Sequence, residues 1–231
     1  MSEMLEALHI AFSLILSGDP ELVEIVGLSL EVSLTAVCLA GLIGLPLGAA
    51  LALFRFPGRQ LLNISIDAFM GLPPVVAGLV VYLLLSRSGP LGVLGLLFTP
   101  AAMIVAQTML VMPIIIALTR HIVGGLWSEY AEQLRSLGVS PLRAIPTLLW
   151  DGRHALATVI LAGFGRASAE VGAVMIVGGN IRHSTRTMTT AIALETGKGN
   201  LELALGLGVV LLSISLMVNG AVAVIKGAAE P

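Results

Sequence analysis

Residues 22–53, 61–85, 98–119, 154–178 and 201–225 form five mostly apolar stretches. Each is longer than the roughly 20 residues a helix needs to cross the hydrocarbon of a bilayer. Backbone polar groups inside lipid find no water, so each stretch is expected to satisfy them internally as a spanning helix. Only 11% of the chain is charged against 57% hydrophobic, and the mean hydropathy is +1.01. A soluble domain carries about 25% charged residues, so too few charges remain here to cover a water-facing surface. The expected fold is all-α: a polytopic membrane helix bundle, one domain over residues 1–231, with lipid as a partner and no nucleic acid.

Residues 4–17 are apolar but short, and Gly18-Asp19-Pro20 ends them and starts the next helix. They read as an interfacial helix. The first twenty residues contain no Lys or Arg, so no basic n-region of a cleavable signal peptide is present. The single cysteine, Cys38, cannot form an intrachain disulfide and is expected to be a small buried apolar residue.

The distribution of Lys and Arg carries more information than the net charge of −2. With five spans, one side collects Arg55, Arg59, Arg120, Arg135, Arg143, Arg153 and Lys226. The other collects Arg87, Arg182, Arg186 and Lys198. The excess predicts an external N-terminus, a cytoplasmic C-terminus and a cytoplasmic loop 120–153.

That loop is a charged island in an oily chain, with Arg120, Glu129, Glu132, Arg135, Arg143, Asp151 and Arg153. Trp127-Ser128 can start a helix with Ser128 as its N-cap, placing Glu129 and Glu132 near the positive end of its dipole. Tyr130, Ala131, Leu134 and Leu137 then share one face, and Glu129, Glu132, Gln133, Arg135 and Ser136 the other. Gly138 suits a left-handed stop, and Ser140-Pro141 restarts a helix. The pattern predicts a short amphipathic helix, a sharp bend and a second helix. A loop that merely connects two spans fits the same physics.

Glu132 followed by Gly138 resembles the "EAA" loop of type I ABC-importer permeases, although Gln133 and Leu134 replace its two alanines and Trp150-Asp151 replaces its usual Leu-Pro ending. Ala162-Gly-Phe-Gly-Arg166-Ala-Ser-Ala-Glu170 through Ile181, and Met188 through Gly199, are similar to the corresponding segments of oxyanion-importer permeases. Within that group the tungstate permeases are most similar, with the molybdate permeases close. The resemblance covers about residues 22–225. It implies a homodimer in a prokaryotic cytoplasmic membrane, two ATP-binding subunits inside and an oxyanion-binding protein outside. It also implies that the island is the coupling helix, with Glu129, Glu132, Arg135, Leu137, Gly138, Ser140 and Pro141 docking on the ATP-binding subunit.

Arg166 and Glu170 are one helical turn apart near the middle of the fourth span, where a lone charge is expensive. They are candidates for the translocation path or the subunit interface, and equally for an ion pair that fixes the bundle. Gly163, Gly165, Ala167, Ala169, Gly172 and Ala173 permit close packing around them. Asp67 reads as an interfacial residue, and Pro73-Pro74 and Pro113 as kinks within spans two and three. The loop from Gly178 to Lys198 carries Arg182, His183, Arg186 and Lys198, which fit attraction of an anion, contact with an external protein, or plain solvation. Among the hydroxyls of Thr185, Thr187, Thr189 and Thr190, Thr189 and Thr190 are further candidates for contact with an oxyanion.

Missing patterns constrain the chemistry. No G-x-x-x-x-G-K-[ST] phosphate loop, H-E-x-x-H, Cys/His cluster or G-x-S-x-G elbow occurs. No cofactor or metal is expected, the chain is not expected to be an enzyme, and ATP is expected to be bound by a partner subunit. The competing readings are a molybdate or sulfate-type permease and, from another class, a stand-alone ion-coupled secondary transporter. An intramembrane enzyme is disfavoured. No internal repeat is visible to support the secondary transporter.

Overall fold

The computed structural model describes Ser13 and residues 18–227. The expected interfacial helix at 4–17 therefore lies outside the described residues, apart from Ser13. Nine α-helices account for the described fold, and no strand occurs among these residues. They are α1 (Pro20–Leu53), α2 (Arg59–Met70), α3 (Pro74–Leu85), α4 (Pro100–Ser136), α5 (Pro141–Asp151), α6 (Arg153–Ser168), α7 (Gly172–Gly178), α8 (Met188–Lys198) and α9 (Leu201–Gly227).

The helices α1 and α4, of 34 and 37 residues, are each long and apolar enough to cross a membrane. The second and fourth expected spans are interrupted. Span two breaks at Gly71-Leu72-Pro73 into α2 and α3, and span four at Ala169–Val171 into α6 and α7. Counting each broken pair as one span brings the total to four, and α9 carries a further shorter apolar helical stretch over Leu203–Val218. The first break has a local cause. Pro73 lacks an N–H and disfavours helical geometry at Leu72, while Pro74 occupies the first helical position of α3. Pro113, by contrast, sits inside a continuous α4.

Two compact units are defined by internal contacts. Among the described residues, one comprises those up to Thr35, Pro73–Gln107 and those from Ser168 onward, the other Ala36–Leu72 and Thr108–Ala167. In the first unit α3 packs on α7 and α8 on α9. A Cβ on Gly78 would lie 2.7 Å from the Ala173 Cα, so α3 and α7 approach backbone to backbone. Ile25, Met188, Ala191 and Leu207 form its apolar cluster.

In the second unit small residues of α1 serve the same purpose. Cβ atoms on Gly44 and Gly48 would clash with Ile115, Ile116 and Thr119 of α4, and one on Gly41 with Ile160 of α6. Ala49, Leu53, Val123, Ala144 and Leu148 form the core where α1, α4 and α5 meet. The Arg59 Nε donates to the Leu51 carbonyl at 2.8 Å, satisfying an acceptor at the C-terminal end of α1.

Cys38 departs from expectation, because it is exposed on α1. The inference from apolar sequence to burial holds in water; on a spanning helix, apolar residues are equally at home facing hydrocarbon.

Candidate functional site

The charged island begins without any break. α4 continues past Arg120 to Ser136, so no separate helix starts at Trp127-Ser128. The Ser128 hydroxyl does not cap; it donates back to the Gly125 carbonyl at 2.7 Å within the helix. The first half of the expected loop is thus the end of a helix that begins at Pro100.

The stop is where local chemistry puts it. Gly138 has φ 72°, its N–H donates to the Arg135 carbonyl at 3.0 Å, and the Val139 N–H donates to the Leu134 carbonyl at 2.9 Å. These two bonds form a Schellman motif, which needs a left-handed residue at Gly138. Ser140 is extended, at φ −72° and ψ 153°, and Pro141 opens α5, although the Ser140 hydroxyl makes no capping bond.

Around this bend Ala131 is buried, and Tyr130, Leu134 and Val139 pack on the core of α1, α4 and α5. Leu137 leaves that face and is 77% exposed, because it lies beyond the last helical residue and no longer follows the helix period. Glu129, Glu132 and Arg135 are exposed, and the Arg135 guanidinium stands 5.5 Å from the centre of the Trp127 ring. The bend therefore presents carboxylates, a guanidinium and one bare leucine at the end of a continuous helix.

The structure joins Asp67 to Arg120, 53 positions later. One Arg120 guanidinium nitrogen meets both Asp67 carboxylate oxygens, at 2.8 and 3.0 Å. Arg120 is only 12% exposed, so Asp67 balances a nearly buried cation.

The second candidate region centres on the break between α6 and α7. Arg166 lies in the last turn of α6, which ends at Ser168, and Glu170 lies in the break. The expected same-face spacing on one continuous helix is therefore not the geometry. Glu170 is buried, and its Oε1 accepts the Ala173 N–H at 2.9 Å, in the first turn of α7. Carboxylates are favoured at this end of a helix because free N–H groups point there. The Glu170 carbonyl accepts the Thr189 hydroxyl at 2.8 Å.

The threonines beyond it are turned inward. The Thr185 hydroxyl donates to the Gly178 carbonyl at 2.6 Å, and Thr190 Oγ1 accepts the Thr187 N–H at 3.0 Å at the start of α8. Thr187 Oγ1 contacts Thr189 Oγ1 at 3.3 Å and Thr190 Oγ1 at 3.1 Å. Ser29 of α1 fastens the same turn: its Oγ donates to the Ile25 carbonyl at 2.6 Å and accepts the Met188 N–H at 2.8 Å. These hydroxyls hold chain to chain.

The basic loop is also neutralised. Arg182 donates to both carboxylate oxygens of Glu21 at 2.9 and 2.7 Å, and Arg186 lies 3.5 Å from Glu21. His183 Nδ1 is 2.7 Å from Glu24 Oε2. Lys198 and Asn200 donate to Glu195 at 2.8 and 3.0 Å, and those donors, Lys198 foremost, hold its carboxyl below the usual range against the opposing effect of burial. A cavity of about 240 Å³ next to this cluster is lined on its polar side by Asp19, Glu21, Glu195 and Arg186. Three carboxylates to one guanidinium do not make an anion site. The partners Glu21 and Glu24 are not among the expected site residues, although the Lys and Arg count places the N-terminus and this loop on the same side.

The apolar α1 and α4, the broken apolar pairs and the exposed polar bend define the class: a multi-pass helical membrane protein. No family model matches the chain. Among curated proteins it is 42% identical over 203 residues to the "Probable anion ABC transporter permease protein" of Haloferax volcanii, covering 86% of this chain and 88% of that protein. It is 39% identical over 222 residues to the "Tungstate uptake system permease protein TupB" of Peptoclostridium acidaminophilum, covering 96% and 97%. The protein of that name from Campylobacter jejuni matches at 39% over 209 residues, covering 90% and 87%. The chain belongs to the family of ABC transporter permease proteins.

Proposed function

We propose that this chain is the membrane subunit of an ATP-driven importer for a tetrahedral oxyanion, and that the oxyanion is tungstate. The observation that carries this reading is 39% identity to a tungstate uptake permease over 96% of the chain. In the proposed assembly two copies form the pathway in a prokaryotic cytoplasmic membrane, with the N-terminus outside and the C-terminus inside. A separate external protein delivers the oxyanion and sets most of the selectivity. Two ATP-binding subunits dock on the bends formed by Glu129, Glu132, Arg135, Leu137, Gly138, Ser140 and Pro141, and ATP is hydrolysed there, not in this chain.

The proposed mechanism follows from the continuity of α4. Closure of the ATP-binding subunits draws the two bends together. Because each bend is the end of a spanning helix, the displacement passes into the membrane part without an intervening hinge loop. Coupling is then a free-energy exchange between the ATP site and the pathway. We assign Arg166, Glu170, Thr189 and Thr190 to the pathway or to the contact between copies.

Reconstitution with the ATP-binding subunit and the external protein in proteoliposomes tests this. Tungstate uptake is expected to require ATP and both partners, and molybdate and sulfate to compete more weakly. Glu132→Arg is expected to abolish uptake while leaving tungstate capture by the external protein intact. Uptake by the purified chain without ATP would instead establish a secondary transporter, and wild-type uptake by Glu132→Arg would remove the coupling assignment.

A further inference from the structure

The Trp150-Asp151 ending of the charged island takes no part in the proposed coupling bend. It belongs to α5, a helix with two apolar stripes. One is buried: Ala144 and Leu148, flanked by Ile145 and Leu149, pack against Ala49, Leu53 and Val123. The other runs through Leu142, Pro146 and Trp150 at successive four-residue steps, and all three are exposed, Leu142 to 68% and Trp150 to 72%. Arg143, Thr147 and Asp151 form a polar stripe beside it. The Arg153 guanidinium stacks 5.0 Å from the centre of the Trp150 ring, and its Nη1 donates to the Trp150 carbonyl at 2.9 Å.

Position says what covers the bare stripe. Arg153 is the first residue of α6, which together with α7 has the length and hydropathy of a span. Trp150 therefore stands about one turn before the chain enters its apolar segment. That is the level at which tryptophans concentrate at a membrane surface, the ring in the acyl boundary and the N–H in the headgroups. Arginines at this level bury their stems and direct their charge to the phosphates. Arg143 and Arg153 flank the stripe against the single carboxylate of Asp151, which favours lipids of negative charge.

We propose that α5 lies in the membrane interface, with Leu142, Pro146 and Trp150 immersed at the headgroup–acyl boundary and Arg143 and Arg153 bound to phosphates of anionic phospholipid. The helix is then a float at the base of α6, and the docking bend ends at its first residue, Pro141. The proposal depends neither on which ion is carried nor on the coupling assignment.

The full-length chain in nanodiscs provides the test, with the Trp150 signal isolated by subtracting the spectrum of Trp150→Phe. The expected emission is blue-shifted, strongly quenched by lipids brominated near the top of the acyl chain and weakly quenched by aqueous acrylamide. In mixed phosphatidylglycerol and phosphatidylcholine, phosphatidylglycerol is expected to be enriched several-fold in the protein's lipid shell. That enrichment is expected to be lost in Arg143→Gln/Arg153→Gln and retained in Trp150→Phe. Strong acrylamide quenching without bromolipid quenching would overturn the interfacial placement. So would shielding of Trp150 that appears only when the ATP-binding subunit is added, since the stripe would then be a protein contact. Equal phosphatidylglycerol enrichment in wild type and the double variant would overturn the anionic-lipid assignment.

Discussion

Substitution of Gly48 by alanine measures directly how closely α1 and α4 approach. A Cβ at this position would lie 2.6 Å from the Ile116 carbonyl oxygen and 2.7 Å from the Thr119 Cβ, where ordinary contacts begin at 3.4 Å. The nearest obstacle is backbone, so no side-chain rotation relieves it, and the helices must separate locally by roughly 0.8 Å. Overpacking of this kind costs about 1–3 kcal/mol. Alanine recovers up to about 1 kcal/mol through its better helix propensity. With the full propensity gain the net loss is about 0–2 kcal/mol, centred near 1, a fall in melting temperature of roughly 2–4 °C at that centre for a chain of this size. Gly27 on the same helix is the control, because nothing lies within 4 Å of its Cβ position. Gly27→Ala retains only the propensity gain and is expected to match or exceed wild type. Thermal unfolding of the purified protein, followed by tryptophan fluorescence, reads both variants. A Gly48→Ala protein as stable as Gly27→Ala would refute backbone-level packing of α1 on α4.

Three further outcomes follow from the contacts described above. Ser29→Ala leaves the buried Met188 N–H without its acceptor and is expected to cost about 1–3 kcal/mol, measured by the same unfolding assay, with Ser29→Thr retaining part of the loss. In a double-mutant cycle, Asp67→Asn and Arg120→Gln are expected to couple by about 1–2 kcal/mol, with Asp67→Asn the harsher single change because it strands a nearly buried guanidinium; additive effects would show the pair to be incidental. The Glu195 carboxyl is held low by Lys198, so its contribution to stability is fully present above the ordinary carboxylate range and is lost as pH falls through its depressed folded value. Lys198→Met is expected to shrink the acid-side loss of stability, and an unchanged pH profile would contradict this origin.

The parts of the fold legible in the sequence are those fixed by near neighbours. Gly138 stops a helix and Ser140-Pro141 starts one because a left-handed turn and a preset φ are properties of those residues themselves. The helix start at Trp127-Ser128 fails for an equally local reason. Polar residues do not end a helix, and a serine hydroxyl can bond back to a carbonyl three positions earlier as readily as it can cap. The break at Gly71–Pro73 was written in its prolines but read as a kink. The break at Ala169–Val171 contains no proline or glycine at all; there the Glu170 side chain accepts the local Ala173 N–H, and its carbonyl accepts the Thr189 hydroxyl, nineteen residues later. The pairing of Arg182 with Glu21 spans 161 positions, beyond any pattern in a window of sequence.

The 37 residues of α4 make a rod about 55 Å long, against hydrocarbon about 30 Å thick. A rod of this kind has a phase as well as a length. Each residue between the apolar segment and the bend turns everything beyond it by about 100° and advances it by about 1.5 Å. The direction in which Glu129, Glu132 and Leu137 face is therefore set by a residue count that starts inside the membrane. Gly124-Gly125, with open space around both, marks the stretch where side-chain identity matters least and the count still matters fully. An alanine at either glycine would meet no neighbour, while a single added residue would turn the bend by about 100°.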